Sequence, residues 1–558
     1  MRDLCCAIAI AVAALPAGAQ SPPPAQSAPA PTTQRSVFRV ATRLVQVNVV
    51  VHDQHGAPVT DLKKEDFTVL ERGKPQSISF FAMESADKLS RPAASLPPHI
   101  FSNVFAERAG VPTSITVVLL DLLNTSWVDQ QYARRGLMTF LRQVQPQDRI
   151  GIYALGAHSL TLLHDYTTDA SSLVARLKAD DGELPSVLDA STLNPDSQQE
   201  LRDLDLGALA DANEREANFF TTGRVLNTLS TLQAIAQHLS GVPGRKSLIW
   251  LSGGFPLTIG YDTMPSVGSS RDSRTFTAEM NAAVRALNNS GVSVYPVDAR
   301  GLMVTPGFQA SNRTINNNVP MSVRMAPIRD NIDGMRELAD RTGGRAAVNT
   351  NDLGGAVRRA IDDARVTYTI GYYPTDETQD GRFRDLRIKV NRPHLDVRYR
   401  KGYFALKPPD PADNKTRQAE TRAAVWSPLE STAIALNARA DLTDDPEPGS
   451  VNVLLQIDPS GLDFRNEEGR WKALLDVVYV QKDEHGKVLA GGVTDAMTLA
   501  FTEANYAKLA QEGLMRGRRL PRKPGASTLR IVVRDVGNGA IGSLTIPFSQ
   551  IAAEPRPH

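Results

Sequence analysis

The run Ile115-Thr-Val-Val-Leu-Leu120 leads without a break into Asp121, the profile of a strand covered on both faces in a parallel sheet. Behind it the period changes, and Val128, Tyr132, Leu137, Phe140, Leu141 and Val144 recur at helical spacing. The alternation then repeats. Strands are expected over Arg149–Leu155, Leu160–Tyr166, Ser247–Leu251 and Val292–Val297, and helices over Val225–Leu239, Phe276–Asn288, Ile332–Thr342 and Val357–Ala364. Strands alternating with helices predict a doubly wound α/β sheet with helices on both faces. Two stretches, about Asp180–Phe220 and the Asn-rich Leu302–Arg329, fit no element and read as functional loops or flexible insertions.

On either side of this region the period is two. Val45, Val47, Val49 and Val51 alternate, Asp53-Gln-His-Gly56 marks a turn, and Phe67, Val69, Ile78 and Phe80 belong to further strands. Residues 37–84 thus read as a small β-sandwich-like module, and 85–112 as a Ser/Pro-rich connector into the α/β domain at 113–364. Beyond it Leu386, Ile388 and Val390 alternate with Arg387 and Lys389, giving a β extension over 365–406, with a polar linker at 407–425. Residues 426–553 hold apolar runs at Val451–Ile457, Leu474–Val480, Leu529–Val533 and Ile541–Ile546, with Asp483-Glu-His-Gly486 and Asn538-Gly539 as turns. They read as an immunoglobulin-like sandwich. The expected fold class is multidomain, α/β plus β.

The N-terminus changes the picture of where the chain works. Arg2, an apolar run from Leu4 to Leu15 and the triplet Ala17-Gly-Ala19 form an export signal over 1–19. An uncleaved membrane anchor is the alternative, for which the run is short. Residues 20–36 are a Pro/Ala/Ser-rich tether with no means of building a core. Both cysteines, Cys5 and Cys6, lie within the signal, so the expected mature chain has no thiol, disulfide or transmembrane segment and works in the periplasm or outside the cell. Lys plus Arg (62) nearly cancels Asp plus Glu (61) over 558 residues, which gives no electrostatic case for nucleic acid.

Asp121 carries the candidate chemistry. A carboxylate at the carboxyl edge of a central parallel strand stands where open α/β sheets bind ligands. With the hydroxyls of Thr125 and Ser126 behind it, it suits a hard cation such as Mg²⁺. The alternative is a loop-fixing or helix-capping carboxylate. Here the chain resembles the von Willebrand factor A (vWA) family over about 113–364. In that family an Asp-x-Ser-x-Ser motif, a threonine from a second loop and an aspartate from a third hold a divalent metal, to which a partner's acidic side chain binds. The resemblance implies Asp121 at the first position, with Leu123 in place of the first serine and Thr125 in place of the second. Thr221 or Thr222 would be the loop threonine, Thr222 foremost. The third-loop acid is missing from Leu251-Ser-Gly-Gly254, leaving Ser252 and Asp298 as substitutes, with Mg²⁺, Mn²⁺ or Ca²⁺ as the implied ion. A more specific resemblance, to a vWA-related family known chiefly from Acidobacteria, rests on Val47–Glu71, Pro243–Pro256, Tyr295–Arg300, Tyr372-Tyr-Pro374 and Arg398–Phe404. That family brings no general biochemical role with it.

Sharper motifs fall away. Gly241-Val-Pro-Gly-Arg-Lys-Ser247 has the wrong spacing for a phosphate loop and follows a helix instead of a strand. Trp250 stands where a nucleophile elbow needs glycine. Nine histidines show no ligand spacing; His158 and His164 read as surface or structural, and Arg516–Arg519 with Arg522-Lys523 as a solvated loop. The expectation is an exported interaction protein and not an enzyme. A metal-free structural envelope protein and a metal-dependent hydrolase are the alternatives.

Overall fold

A strand with apolar side chains on both faces must be covered twice, and Ser114–Asp121 sits in the middle of a five-stranded sheet. The spatial order is Val292–Asp298, Arg245–Ser252, Ser114–Asp121, Ile150–Leu155, Leu160–Thr167. The first four strands are parallel and the last is antiparallel. The computed structural model describes residues 44–85, 96–104, 114–145, 148–157, 159–180, 182, 184–242, 244–259, 274–302, 321–405, 413–443 and 447–551. The expected export signal and tether (1–36), both cysteines and His158 lie outside these residues. Among the described residues no helix is long and apolar enough to cross a membrane.

Strand alternation divides the sheet's side chains between two cores. Ile115, Val117, Leu119, Leu248 and Trp250 face one, covered by helices Gly207–Leu239, Thr277–Asn289 and Met321–Thr342. Val118, Leu120, Ile249 and Leu251 face the other, covered by Trp127–Leu141, Ala170–Ala179 and Leu353–Asp362. Each large apolar side chain so buried contributes roughly 1.5–3 kcal/mol relative to exposure, which is why the expected α/β alternation appears as read.

The β regions are organised differently from their order along the chain. Val45–His52 pairs antiparallel with Val366–Tyr372, matching Val47 to Ile370 and Val49 to Tyr368. Phe67–Glu71 pairs with Phe383–Val390. The module at 37–84 and the extension at 365–406 therefore build two facing four-stranded sheets around one core of Val47, Val49, Phe67, Val69, Tyr368 and Ile370. Likewise Ile100–Ser102, inside the expected connector, adds a strand beside Leu436–Thr443. The C-terminal region is two antiparallel sheets sharing a core that includes Leu455, Leu475, Val477, Ile531 and Leu544.

Four stretches read as irregular, linker or loop are corrected. Asp180–Phe220 contains helices Ser186–Ala190 and Pro195–Asp203 and the first turns of Gly207–Leu239. Their start is signalled by Asn194, whose side chain accepts from the amide of Asp196, and by Pro195 in the first turn; largely exposed faces hid the apolar period. Met321–Thr342 starts before the expected Ile332, so 321–329 is helical, while the Asn-rich segment lies outside the described residues. The polar linker holds helix Asn414–Trp426, capped by Asp413 and held to the C-terminal sheets by Arg417–Asp476 (3.3 Å) and Arg534–Glu420 (2.6 Å). Arg516–Arg519 lies in strand Leu514–Leu520, where Arg516 and Arg518 pair with Asp495 at 3.4 and 3.3 Å.

Candidate functional site

Register places Asp121, Ser252 and Asp298 in one row, because Leu120 is level with Leu251 and Ser252 with Asp298. All three end neighbouring strands at the carboxyl edge of the sheet. Asp121 is 2% exposed and accepts five hydrogen bonds. The Asn124 amide N–H donates to Oδ1 at 3.0 Å, and Asn124 Nδ2 reaches Oδ1 at 3.0 Å and Oδ2 at 2.8 Å. Trp250 Nε1 and Ser252 Oγ donate to Oδ2 at 3.0 and 2.7 Å. Asp121, Trp250 and Ser252 share strand parity with the core residues Leu119 and Leu248, so they face helix Gly207–Leu239.

That helix supplies the charge. Arg224 Nη1 donates to Asn124 Oδ1 at 2.7 Å, and Thr228 Oγ1 accepts from Asn124 Nδ2 at 2.7 Å while donating to the Arg224 carbonyl at 2.9 Å. The guanidinium is buried. Burial lowers its pKa to about 10, opposed by the negative charge of Asp121, so it stays protonated at neutral pH. Burial pushes the Asp121 carboxyl above its ordinary range, and the bonds from Asn124, Ser252 and Trp250 pull it back. Arg224, Asn124 and Asp121 thus form a relay in which a neutral amide sits between buried opposite charges.

The loop behind Asp121 is fixed by its own chain. Thr125 Oγ1 accepts the Gly253 amide at 3.0 Å, and Gln130 Nε2 donates to the carbonyls of Leu122 (3.1 Å) and Thr125 (2.9 Å). A Cβ on Gly253 would lie 2.5 Å from the Asn124 carbonyl oxygen, so the approach of the two loops requires glycine there. Ser126 caps helix Trp127–Leu141 by accepting from the Asp129 amide.

The expected site residues meet only in part. Asp121, Thr125 and Ser252 share one network. Leu123, at the position of the family's first serine, turns into the core instead of the site. The helix expected to start near Arg224 starts at Gly207, so Thr221 and Thr222 occupy its interior and not a loop; the Thr222 hydroxyl donates to the Asn218 carbonyl at 2.7 Å. Asp298 is held bidentately by Arg300, with Nε–Oδ1 at 2.8 Å and Nη2–Oδ2 at 2.9 Å.

No protein-family profile and no curated protein matches the chain. Among solved structures it is similar to the TFIIH p34 N-terminal domain, at 12% identity and TM-score 0.23, covering 44% of this chain and 96% of that one. It is also similar to the pilus adhesin SpaC from Lactobacillus rhamnosus GG, at 9% identity and TM-score 0.25, covering 86% of this chain and 58% of the adhesin. A third similarity is to the SpRpn10 VWA domain, at 12% identity and TM-score 0.16, covering 33% and 74%. At these scores none carries an argument about what this chain does.

The chemistry of the donor set does carry one. A hard divalent cation takes oxygen lone pairs, whereas the Asp121 lone pairs face three N–H bonds from Asn124, one from Trp250 and one O–H from Ser252. The Thr125 oxygen already accepts an amide, and a guanidinium stands one residue away. These residues fit an internal ion-pair relay and do not fit a resident Mg²⁺. Asn124, Arg224, Thr228 and Trp250 are the members that the motif comparison missed. Two signals point to Trp250, Arg224 and Thr228: strand parity linking Trp250 to Asp121, and Arg224 and Thr228 at i, i+4 on one buried helix face.

Proposed function

We propose that this chain is an exported binding protein of vWA type whose sheet edge works without a metal ion. The observation that carries the reading is the closed hydrogen-bond shell of Asp121, which leaves no lone pair directed at solvent. Beside it Trp127 and Val128, in the first turn of Trp127–Leu141, are exposed, Val128 at 73%, and Leu302 is exposed beyond Asp298. Apolar side chains at the edge where open α/β sheets bind support a protein or surface partner, held by apolar contacts and not through a shared cation. The export signal read over 1–19 supports a periplasmic or extracellular setting. Ser252, the hydroxyl nearest the site acid, donates to a buried carboxylate and meets no imidazole among the bonds it makes, which favours binding over hydrolysis.

The test is thermal unfolding of the chain in EDTA and in saturating Mg²⁺, Mn²⁺ or Ca²⁺, together with association with a cell-envelope fraction in EDTA. Equal melting temperatures, and association that survives EDTA but is lost in Val128→Asp, are expected. A metal-dependent rise in melting temperature that Asp121→Ala abolishes would restore the metal-dependent adhesion reading by binding linkage. Metal-independent stability with no association would leave a structural envelope role.

A further inference from the structure

A cleft of about 620 Å³ opens between the α/β part and the N-terminal β-sandwich, away from Asp121. Its walls come from the end of strand Val45–His52, from helix Leu353–Asp362 and from the segment around Asp396–Arg398. His52 lines it and is 3% exposed. Its Nδ1 lies 2.8 Å from Arg398 Nη2. An arginine only donates, so in this contact Nδ1 accepts and the ring proton sits on Nε2, with Asp363 Oδ1 farther from the same nitrogen, at 3.6 Å. Burial lowers the pKa of His52, in keeping with a neutral ring. The Nε2–H is buried and has no hydrogen-bond partner among the described residues, and a buried donor left unmet is unfavourable.

The charges around the cleft are unequally satisfied. Every acid lining it already has a partner in the chain. Asp363 pairs with Arg398, and Asp396 pairs with Arg398 Nε at 3.1 Å. Asp362 pairs with Arg358 at 2.7 Å and Arg365 at 3.1 Å, and Asp53 accepts the amides of its own turn, His55 at 2.8 Å and Ala57 at 2.9 Å. The basic groups are not so spent. Arg359 has only the exposed Asp352, at 3.3 Å, and Arg345 and His394 have no partner among the described residues. Arg345 also stands on the wall of a neighbouring cleft of about 350 Å³ that adds Arg336 and Lys401. In the larger cleft the His52 Nε2–H and the Arg345 guanidinium are thus donors left without a partner among the described residues, while the neighbouring cleft also carries the Asp340 carboxylate.

We propose that this junction cleft binds a small oxyanion-bearing ligand, a carboxylate or a phosphate, whose oxygens are held by His52 Nε2–H and Arg345. The site does not depend on the Asp121 reading, and either can fail alone. The probes are inorganic phosphate and citrate, titrated calorimetrically into the full chain, with the histidines ¹⁵N-labelled so that the His52 Nε2–H resonance can be followed. Binding of one probe is expected, with a shift of that resonance and at least a tenfold weaker affinity in Arg345→Gln, an exposed position where folding is not at issue. His52→Asn should weaken the same probe. Phosphate binding without citrate, or the reverse, assigns the class. The proposal is overturned if neither probe moves the His52 resonance, or if Arg345→Gln binds as the wild type does.

Discussion

Replacing Asp121 with Asn keeps the shape of the side chain and removes its charge, which makes it the sharpest perturbation of the relay. Four donor atoms aim at the carboxylate, and the carboxamide offers one oxygen and an N–H₂ group in place of two accepting oxygens. At least one of Asn124 Nδ2, Trp250 Nε1 and Ser252 Oγ then faces another donor, at roughly 1–3 kcal/mol for a buried group left unpaired. Arg224 loses the negative charge that holds its protonated form in a buried setting, and breaking a buried pair from one side costs about 3–5 kcal/mol. The two terms overlap, so a total of roughly 3–5 kcal/mol is expected. Arg224→Met alone should cost less, since Asp121 keeps its five hydrogen bonds. The double variant should be more stable than the sum of the singles by about 1–3 kcal/mol, the coupling of residues in one network. Urea unfolding followed by tryptophan fluorescence reads this, because Trp250 is fully buried in the same core. A loss below about 1 kcal/mol for Asp121→Asn, or strict additivity in the cycle, would refute the relay.

Gly253→Ala should lose roughly 1–3 kcal/mol by overpacking, since its methyl would meet the Asn124 carbonyl at 2.5 Å; an unchanged urea midpoint would contradict that packing. Burial lowers the Lys246 ammonium to about 8, opposed by Glu84. The unfolded lysine holds its proton to higher pH, so between about pH 8 and 10 the unfolded state binds more protons and stability should rise with pH. The slope is at most about 1.4 kcal/mol per pH unit, and urea midpoints of the wild type should rise across that window while Lys246→Met flattens them. Tyr368→Phe removes bonds to the Leu62 amide (3.2 Å) and the Val59 carbonyl (2.8 Å); about 1–2 kcal/mol should be lost, and proteolysis should speed up at both 44–85 and 366–405 if these segments form one body.

What was legible in the sequence was whatever is periodic and buried. Ile115–Leu120 and Val292–Val297 carry apolar side chains on both sheet faces, broken only by Thr116 and Ser293, because both faces are covered, and a two-sided core leaves that mark on any strand. Pairing between distant segments leaves no such mark: nothing local in Val45–Val51 says that its partner is Val366–Tyr372. Helix Asn414–Trp426 was hidden for the opposite reason. It buries only Ala424 and Val425 and is held by ion pairs, so its polarity resembles a linker. At the site, Asp121 was found from its place at a strand end, whereas Arg224 was passed over because a lone cation at the edge of an apolar helix resembles a solvated residue. Its i, i+4 spacing from Thr228 marks a shared face, and its contact with Asn124 shows its use.

The relay changes what a partner could exploit at this edge. With Asp121 closed and Leu123 turned into the core, an incoming acidic side chain would find neither a cation to bind nor a vacant hydroxyl. The positive charge behind the site, Arg224, is buried and already committed to Asn124, and Arg300 is held by Asp298. The free energy of association must then come from exposed apolar groups such as Trp127, Val128 and Leu302, whose burial gives about 25 cal/mol per Å² and is indifferent to chelators. Salt separates the two accounts, since exposed charge–charge attraction is largely screened by a tenfold rise in ionic strength while apolar contact is not. Association that persists in EDTA and at high salt, and falls with Val128→Asp, fits the relay. Association that collapses under either condition requires a charge other than the bonded Asp121 and Asp298, of which Asp129 and Arg300 are the partly exposed ones at this edge.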